Sequence, residues 1–299
     1  MNADAMERQV IRRKPLGAKS DHDGEPRDGG VQSVDRALSI IETLAEDDEG
    51  YRLSDLAIRT GLSTSTAHRL LTTLEKRRFV QFDPTCLKWH VGAQSFAVGA
   101  TFTRRRNFVA QAMPYLRKLR DQTRETANLA VVDDESIIVL TRVESREIMR
   151  SLTKVGGRVA MVASGVGKAV LATYADEDVS AIIRHHGMPR LTEKSIVRAG
   201  DLFRQLEAIR RQGFAVDDEE ACMGLRCVAA VIFNDCAEAL AAISISGMTS
   251  RVTGERLPEL GRVVCEVAAE LTAALGGVMP EARSGLVGSA IGRDPSEGI

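Results

Sequence analysis

The segment Arg52-Leu-Ser-Asp-Leu-Ala-Ile-Arg-Thr-Gly61-Leu-Ser-Thr-Ser-Thr-Ala-His-Arg69-Leu-Leu constrains the fold more than any other part of the chain. Leu53, Leu56 and Ala57 begin a short helix, and Thr60-Gly61-Leu62 makes a tight turn. Ser63 then caps a second helix whose inner face is Ala67, Leu70, Leu71 and Leu74, at the spacing a helix needs. Two such short helices need a third apolar surface to pack on. The preceding segment supplies one, with Val34, Ala37, Leu38, Ile41 and Leu44 on one helical face, closed by the acidic run 46–49 and Gly50. After Lys76-Arg77-Arg78, two strand-like runs (79–82 and 87–91) flank the turn Asp83-Pro84-Thr85-Cys86. Three helices and a hairpin over residues 31–92 predict a winged helix-turn-helix.

In that motif the second helix enters the major groove and puts its N-terminal residues at the base edges. Here those residues are Ser63, Thr64, Ser65 and Thr66, short polar groups that approach phosphates or bases without a clash. His68 and Arg69 stand one turn further along, and Arg69 has the fork geometry for a guanine edge or a phosphate. The wing offers Lys88 for the backbone, while Trp89 fits a core plug as well as a DNA contact. Charge points the same way. The chain as a whole has net charge −1, yet five positive residues against two negative ones give +3 between Ser63 and Gly92. The expected partner is double-stranded DNA.

The remaining chain divides by composition. Residues 1–30 and 278–299 are rich in Gly, Pro and charge, and read as disordered tails. Residues 93–110 read as a linker helix. The segment 111–277 alternates helices (113–125, 166–175, 176–186, 201–212, 255–276) with strands (128–132, 137–143, 146–152, 227–233, 239–246), several of them paired as hairpins. That predicts an α+β domain with an antiparallel sheet. A 299-residue chain that is 44% hydrophobic but only 4% aromatic must build its cores from Ala, Val, Leu and Ile.

Other function classes find little support. Five cysteines, an odd number without C-x-x-C spacing, argue against a disulfide framework and a zinc site, so no metal is expected. A nucleophile elbow at Ser164 needs Gly at 162 and 166, where the chain has Val; a phosphate loop needs Gly at 162 and Ser or Thr at 169, where it has Val and Ala. No catalytic residue is expected. No apolar run is long enough to span a membrane, and the N-terminus lacks a signal peptide's apolar stretch, so the expected location is cytoplasmic.

Several motifs together carry a family resemblance: Gln32-Ser-Val-Asp-Arg-Ala-Leu, the helix-turn-helix above, Ala163-Ser-Gly-Val-Gly-Lys-Ala, Gly213-Phe-Ala-Val-Asp-Asp-Glu-Glu and Ala242-Ile-Ser-Ile-Ser-Gly. Over about 31–277 the chain resembles the IclR family of bacterial transcriptional regulators, in particular its glyoxylate-sensing branch. The resemblance implies a homodimer or dimer of dimers on paired half-sites, a GAF-like effector-binding domain at 111–277, and Arg36 as a further DNA-backbone contact. It implies no cofactor but a small organic acid effector, glyoxylate or a similar acid, with an aromatic or sugar-derived acid as the alternative. Its effector pocket falls on the backbone of Gly165 and Val166, on Asp217 and Cys227, and on the serine pair Ser244 and Ser246, walled by Ile148, Val159 and Leu225. The residues agree with this chemically. Two amides at a helix start suit an anion, and period two puts both serines on one strand face. Asp217 suits an anionic ligand only if one carboxyl is protonated or if it accepts from a hydroxyl.

Overall fold

The computed structural model describes residues 31–105, 108–133, 136–145 and 154–280. The strand expected at 146–152, and Ile148 within it, lie outside the described residues, as do both expected tails except for 278–280. The chain forms two compact units, with the division between Gly99 and Ala100.

The first unit opens with α1 (Gln32–Ala45), α2 (Leu53–Thr60) and α3 (Thr64–Lys76), followed by the antiparallel hairpin β1 (Val80–Asp83) and β2 (Lys88–Val91). Its core is Ile40, Leu44, Leu56, Leu71, Val80 and Trp89. Trp89 is therefore a core plug, stacked at a tilt 5.0 Å from Phe82. Tyr51 pairs with Trp89 through two backbone hydrogen bonds and ties the wing to the start of α2. The inward face of α1 differs from expectation. Ile40 is fully buried, whereas Val34 and Leu38 are 55% and 52% exposed. At 100° per residue the true inward stripe runs through Ile40, Thr43 and Leu44, and Val34 and Leu38 lie off it.

The helix α4 (Ala93–Arg105) crosses the division between the units, and α5 (Phe108–Thr123) follows. The expected helix starting at 113 thus begins earlier. Pro114 lies inside α5, which continues through it because buried Ala112, Leu116 and Leu119 hold the helix to the sheet at the loss of a ladder bond.

The second unit is a six-stranded antiparallel sheet in the order β5-β4-β3-β8-β7-β6. Its strands are β3 (Thr126–Asp133), β4 (Ser136–Val143), β5 (Arg158–Ala160), β6 (Ala215–Asp218), β7 (Leu225–Phe233) and β8 (Ala239–Met248). Alternation sorts their side chains onto two faces. Val228, Ala230, Ile232, Ile243 and Ile245 pack with α5 and with α9 (Leu257–Ala274). Ala229, Val231, Phe233 and Ala242 pack against α6 (Gly165–Leu171), α7 (Asp176–His186) and α8 (Ala199–Gln212). The α+β architecture and both hairpins, β3–β4 and β7–β8, match expectation. The edge strands β5 and β6 are additions: each is only 3 or 4 residues long and carries little periodicity of its own. α6 ends at Leu171 rather than near 175, because Thr173 and Tyr174 donate to the carbonyls of Val170 and Leu171 in a tightened turn.

Candidate functional site

Two groupings of polar side chains stand out, one in each unit. In the first unit, Gly61 caps α2 in the left-handed region at φ 66°, which frees the chain to turn sharply into α3. Ser63 caps α3 by accepting from the Thr66 N–H at 3.2 Å. Its hydroxyl also meets those of Ser65 and Thr66 at 3.1 and 2.9 Å. Burial of Ala67 and Leu71 turns Thr64, Ser65, His68 and Arg69 outward, all four of them exposed. Ser33 from α1 joins Thr66, His68 and Arg69 in lining a shallow groove along this outer face. Arg36 lies half-buried on α1 and Lys88 half-buried on the wing. Nothing in this unit ion-pairs Arg69 or His68 among the described residues, so the α3 face presents polar hydroxyls and an uncommitted guanidinium, a surface suited to an anionic polymer.

In the second unit, strand register sets polar residues in a row. Asp217 on β6 pairs with Cys227 on β7, Cys227 with Ser246 on β8, and Ser246 with Thr126 on β3. One step along, Ser244 lies between Ala229 and Asn128. Asn128 donates to Ser244 Oγ at 3.4 Å and to Ser246 Oγ at 3.3 Å. The start of α6 roofs the row: a Cβ on Gly165 would stand 3.1 Å from Cys227 Sγ and 3.5 Å from the Asp217 nitrogen. Gly167 lets α6 fold closely back on the turn before it, since a Cβ there would fall 2.1 Å from the Met161 carbonyl oxygen. Ser164 caps the helix by accepting from the Gly167 N–H at 3.0 Å. The N–H groups of Gly165 and Val166 precede the helical ladder and have no carbonyl to meet within it.

The structure thus gathers Gly165, Val166, Asp217, Cys227, Ser244 and Ser246 around one patch of sheet. Leu225 lies half-buried two residues from Cys227 on the same strand face. Val159 sits on β5 at the other edge of the sheet from Asp217, with β4 and β3 between it and the serines, and packs against the same apolar cluster as Val166.

Three further residues belong to this neighbourhood and were not expected there. Asn128 is one. Lys168 and Glu220 are the others, an ion pair 0% and 3% exposed. Lys168 Nζ also donates to Gln205 Oε1 at 2.7 Å. The backbone N–H groups of Glu220 and Ala221 both donate to Asp217 Oδ1, at 2.7 and 3.3 Å. A signal was present in the sequence: Lys168 is the single charge in the otherwise apolar helix Gly-Val-Gly-Lys-Ala-Val-Leu, and a buried lysine needs a carboxylate.

These surroundings alter two acids. Burial, reinforced by the charge of Glu220, pushes the Asp217 carboxyl up to about 6 against the pull of its backbone donors. Burial and the neighbouring Asp217 push the Cys227 thiol up to about 11, so near neutral pH it is a neutral thiol rather than a nucleophile. The patch combines hydroxyls, an amide, a thiol and a carboxyl under a helix start. That set can hold a small polar molecule, and it lacks an activated nucleophile with its base.

Comparison with known proteins agrees with both units. Residues 33–84 match the IclR helix-turn-helix domain, and residues 100–273 match the C-terminal domain of bacterial IclR transcriptional regulators. The chain is 40% identical to the transcriptional repressor IclR of Escherichia coli over 268 residues, covering 89% of this chain and 96% of that one. It is 41% identical to the acetate operon repressor of Salmonella typhimurium over 254 residues, covering 84% and 93%. The crystal structure of the Thermotoga maritima IclR superposes with a TM-score of 0.67 at 26% identity, over 82% of this chain and 99% of that one. No helix among the described residues is long and apolar enough to cross a membrane. The winged helix-turn-helix, the helix-flanked antiparallel sheet and these matches together place the chain in the IclR family of DNA-binding transcriptional regulators, whose C-terminal domain binds a small-molecule effector.

Proposed function

We propose that this regulator binds paired DNA half-sites as a homodimer or dimer of dimers in the cytoplasm, and that glyoxylate or a closely similar small 2-oxo acid modulates its DNA affinity. The observation that carries the effector reading is the row of Asp217, Cys227, Ser246 and Ser244, with Asn128 bridging the serines, under the first residues of α6. Such a patch offers amides and hydroxyls to a carboxylate and an acceptor to the hydroxyls of a hydrated aldehyde. Its high density of polar atoms favours a small polar acid over a large apolar one. On the DNA side, Ser63, Thr64, Ser65, Thr66, His68 and Arg69 read or grip the major groove, and Arg36 and Lys88 hold the backbone.

One titration tests both halves. Operator duplexes selected by the wild type from a random pool are titrated by fluorescence anisotropy, with and without millimolar glyoxylate, for wild type, Arg69→Ala and Ser246→Ala. Arg69→Ala should weaken cognate binding by about 1–3 kcal/mol and flatten the preference over scrambled DNA. Ser246→Ala should bind the operator like wild type but need roughly 10- to 150-fold more glyoxylate for the same response, the loss of about 1.5–3 kcal/mol expected for a hydrogen bond to a charged group. An unchanged cognate-to-scrambled ratio removes Arg69 from base reading. A wild type indifferent to millimolar glyoxylate removes glyoxylate as the effector.

A further inference from the structure

In the effector patch and just behind it lie three buried ionisable side chains: Asp217 on β6, Lys168 on α6 and Glu220 after β6, all 5% exposed or less. Their connections make one unit. Lys168 Nζ pairs with Glu220 Oε1 and with Gln205 on α8, while the Glu220 backbone N–H holds Asp217 Oδ1. Glu220 Oε2 is enclosed and has no hydrogen-bond partner among the described residues, so there its negative charge is only half answered. The ionisable groups facing Asp217 from the elements around it are Glu220, Lys168 and, across the β6–β7 pairing, Cys227. Cys227 is neutral as a thiol. Among the described residues the charged members are therefore one ammonium and two carboxylates.

We propose that Lys168 and Glu220 are positioning residues that fix the charge of the effector site, so that the site takes up a carboxylate ligand together with one proton, held on Asp217. The proposal rests on the reading of this site as one for a small carboxylate. The ion pair is internally neutral, so an ionised Asp217 leaves this group of three side chains with one net negative charge. A ligand carboxylate would make three anions for one cation, in surroundings where unpaired charge is least tolerated. A proton passing from solvent to Asp217 removes one of them. It also converts that carboxyl from an acceptor only into a donor, able to offer an O–H to a ligand oxygen while Oδ1 keeps its two backbone N–H bonds. The raised Asp217 titration agrees with this geometry, since the carboxyl already holds its proton more readily than a free aspartate does.

The test is calorimetric titration of the full-length protein with glyoxylate, pyruvate, glycolate and acetate at pH 7.5, in phosphate and in Tris, whose different ionisation enthalpies report protons exchanged. Melting temperature serves as the fold control. Wild type should take up about one proton per ligand bound, and Kd should rise up to roughly tenfold per pH unit above pH 7. Asp217→Asn should take up none and lose that pH dependence. Glu220→Gln removes a carboxylate charge at constant shape, so uptake should fall well below that of wild type; a merely structural role for Glu220 would change the melting temperature and leave the proton count alone. Binding of any of these acids to wild type without proton uptake overturns the proposal, as does full uptake by a folded Asp217→Asn. Uptake of a proton with pyruvate or glycolate but no binding of glyoxylate sustains the proposal and removes only glyoxylate as the effector. Binding of none of the four overturns both readings.

Discussion

Asp217 ties stability to pH through its own carboxyl, quite apart from any ligand. Its folded value lies near 6, above the 3.8 of an unperturbed aspartate. A group raised in this way favours the fold most below its unfolded value, and that contribution is lost as pH climbs through the folded one. The window is therefore about pH 4 to 6.5, and the loss across it is about 3 kcal/mol at most. Asparagine keeps an oxygen for the Glu220 and Ala221 N–H donors but has no proton to lose. Asp217→Asn should thus gain stability relative to wild type between pH 4 and pH 6.5, read as a gap in melting temperature that widens across that window and then holds steady. A gap that stays constant over that range would show that Asp217 does not titrate as its surroundings require. At this scale the sequence was informative where a motif pointed. Asp217, Cys227, Ser244 and Ser246 come from resemblance and strand period, and the register sets them side by side. Lys168 shows locally as the single charge in an apolar helix, but its partners, like those of Asn128, lie 37, 52 and 116 residues away, and no local pattern encodes those pairings.

Elements with strong periodicity were readable; those defined by their neighbours were not. α3, with apolar residues at helical spacing and a serine cap, stands where the pattern puts it. β5 and β6 exist because β4 and β7 lend them ladder partners, and their own few residues could not announce them. Two glycines show how differently two short helices are held. Gly61 ends α2 with φ 66° and open space around it, so alanine there meets only backbone strain, about 1–2 kcal/mol. Gly167 lies in α6 against Met161 in the turn just before the helix, and a Cβ 2.1 Å from that carbonyl oxygen forces the start of α6 away from the turn that sets its place. Overpacking of this kind typically costs about 1–3 kcal/mol or more. The two variants should separate further in function. Gly167→Ala should impair glyoxylate binding because it displaces the roof of the effector patch, whereas Gly61→Ala should leave that binding intact and weaken operator binding instead. Calorimetry and anisotropy on both variants check this; a Gly167→Ala protein with wild-type effector affinity would mean that α6 does not form the roof.

For the molecule as a whole, the question is how so small a reader achieves specificity. One α3, 13 residues long, can offer base edges only its first two turns, and each well-placed contact is worth about 1–3 kcal/mol. A single copy would stand barely above its own sequence-independent binding, whereas two copies on one duplex add their contacts. The surface leaves material for such pairing. Val34 and Leu38 on α1, and Phe96 and Val98 on α4, are each more than half exposed, with Phe96 at 79%. Exposed apolar side chains of this kind are available for a second copy to cover where they adjoin. A symmetric pair places its two reading helices on the same side of the duplex only when the half-sites repeat with the helical turn. Their centres should therefore lie about 10–10.5 base pairs apart, or a multiple of that. Hydroxyl-radical footprinting on the selected operator should show two protected half-sites related by inversion at that spacing, filled together as protein is added. Inserting about five base pairs between them rotates one half-site to the far side of the duplex and should sharply reduce affinity, while inserting a full turn of about ten should restore much of it. A single protected half-site at saturation, or an affinity that does not depend on the insertion length, would show that each α3 reads DNA alone.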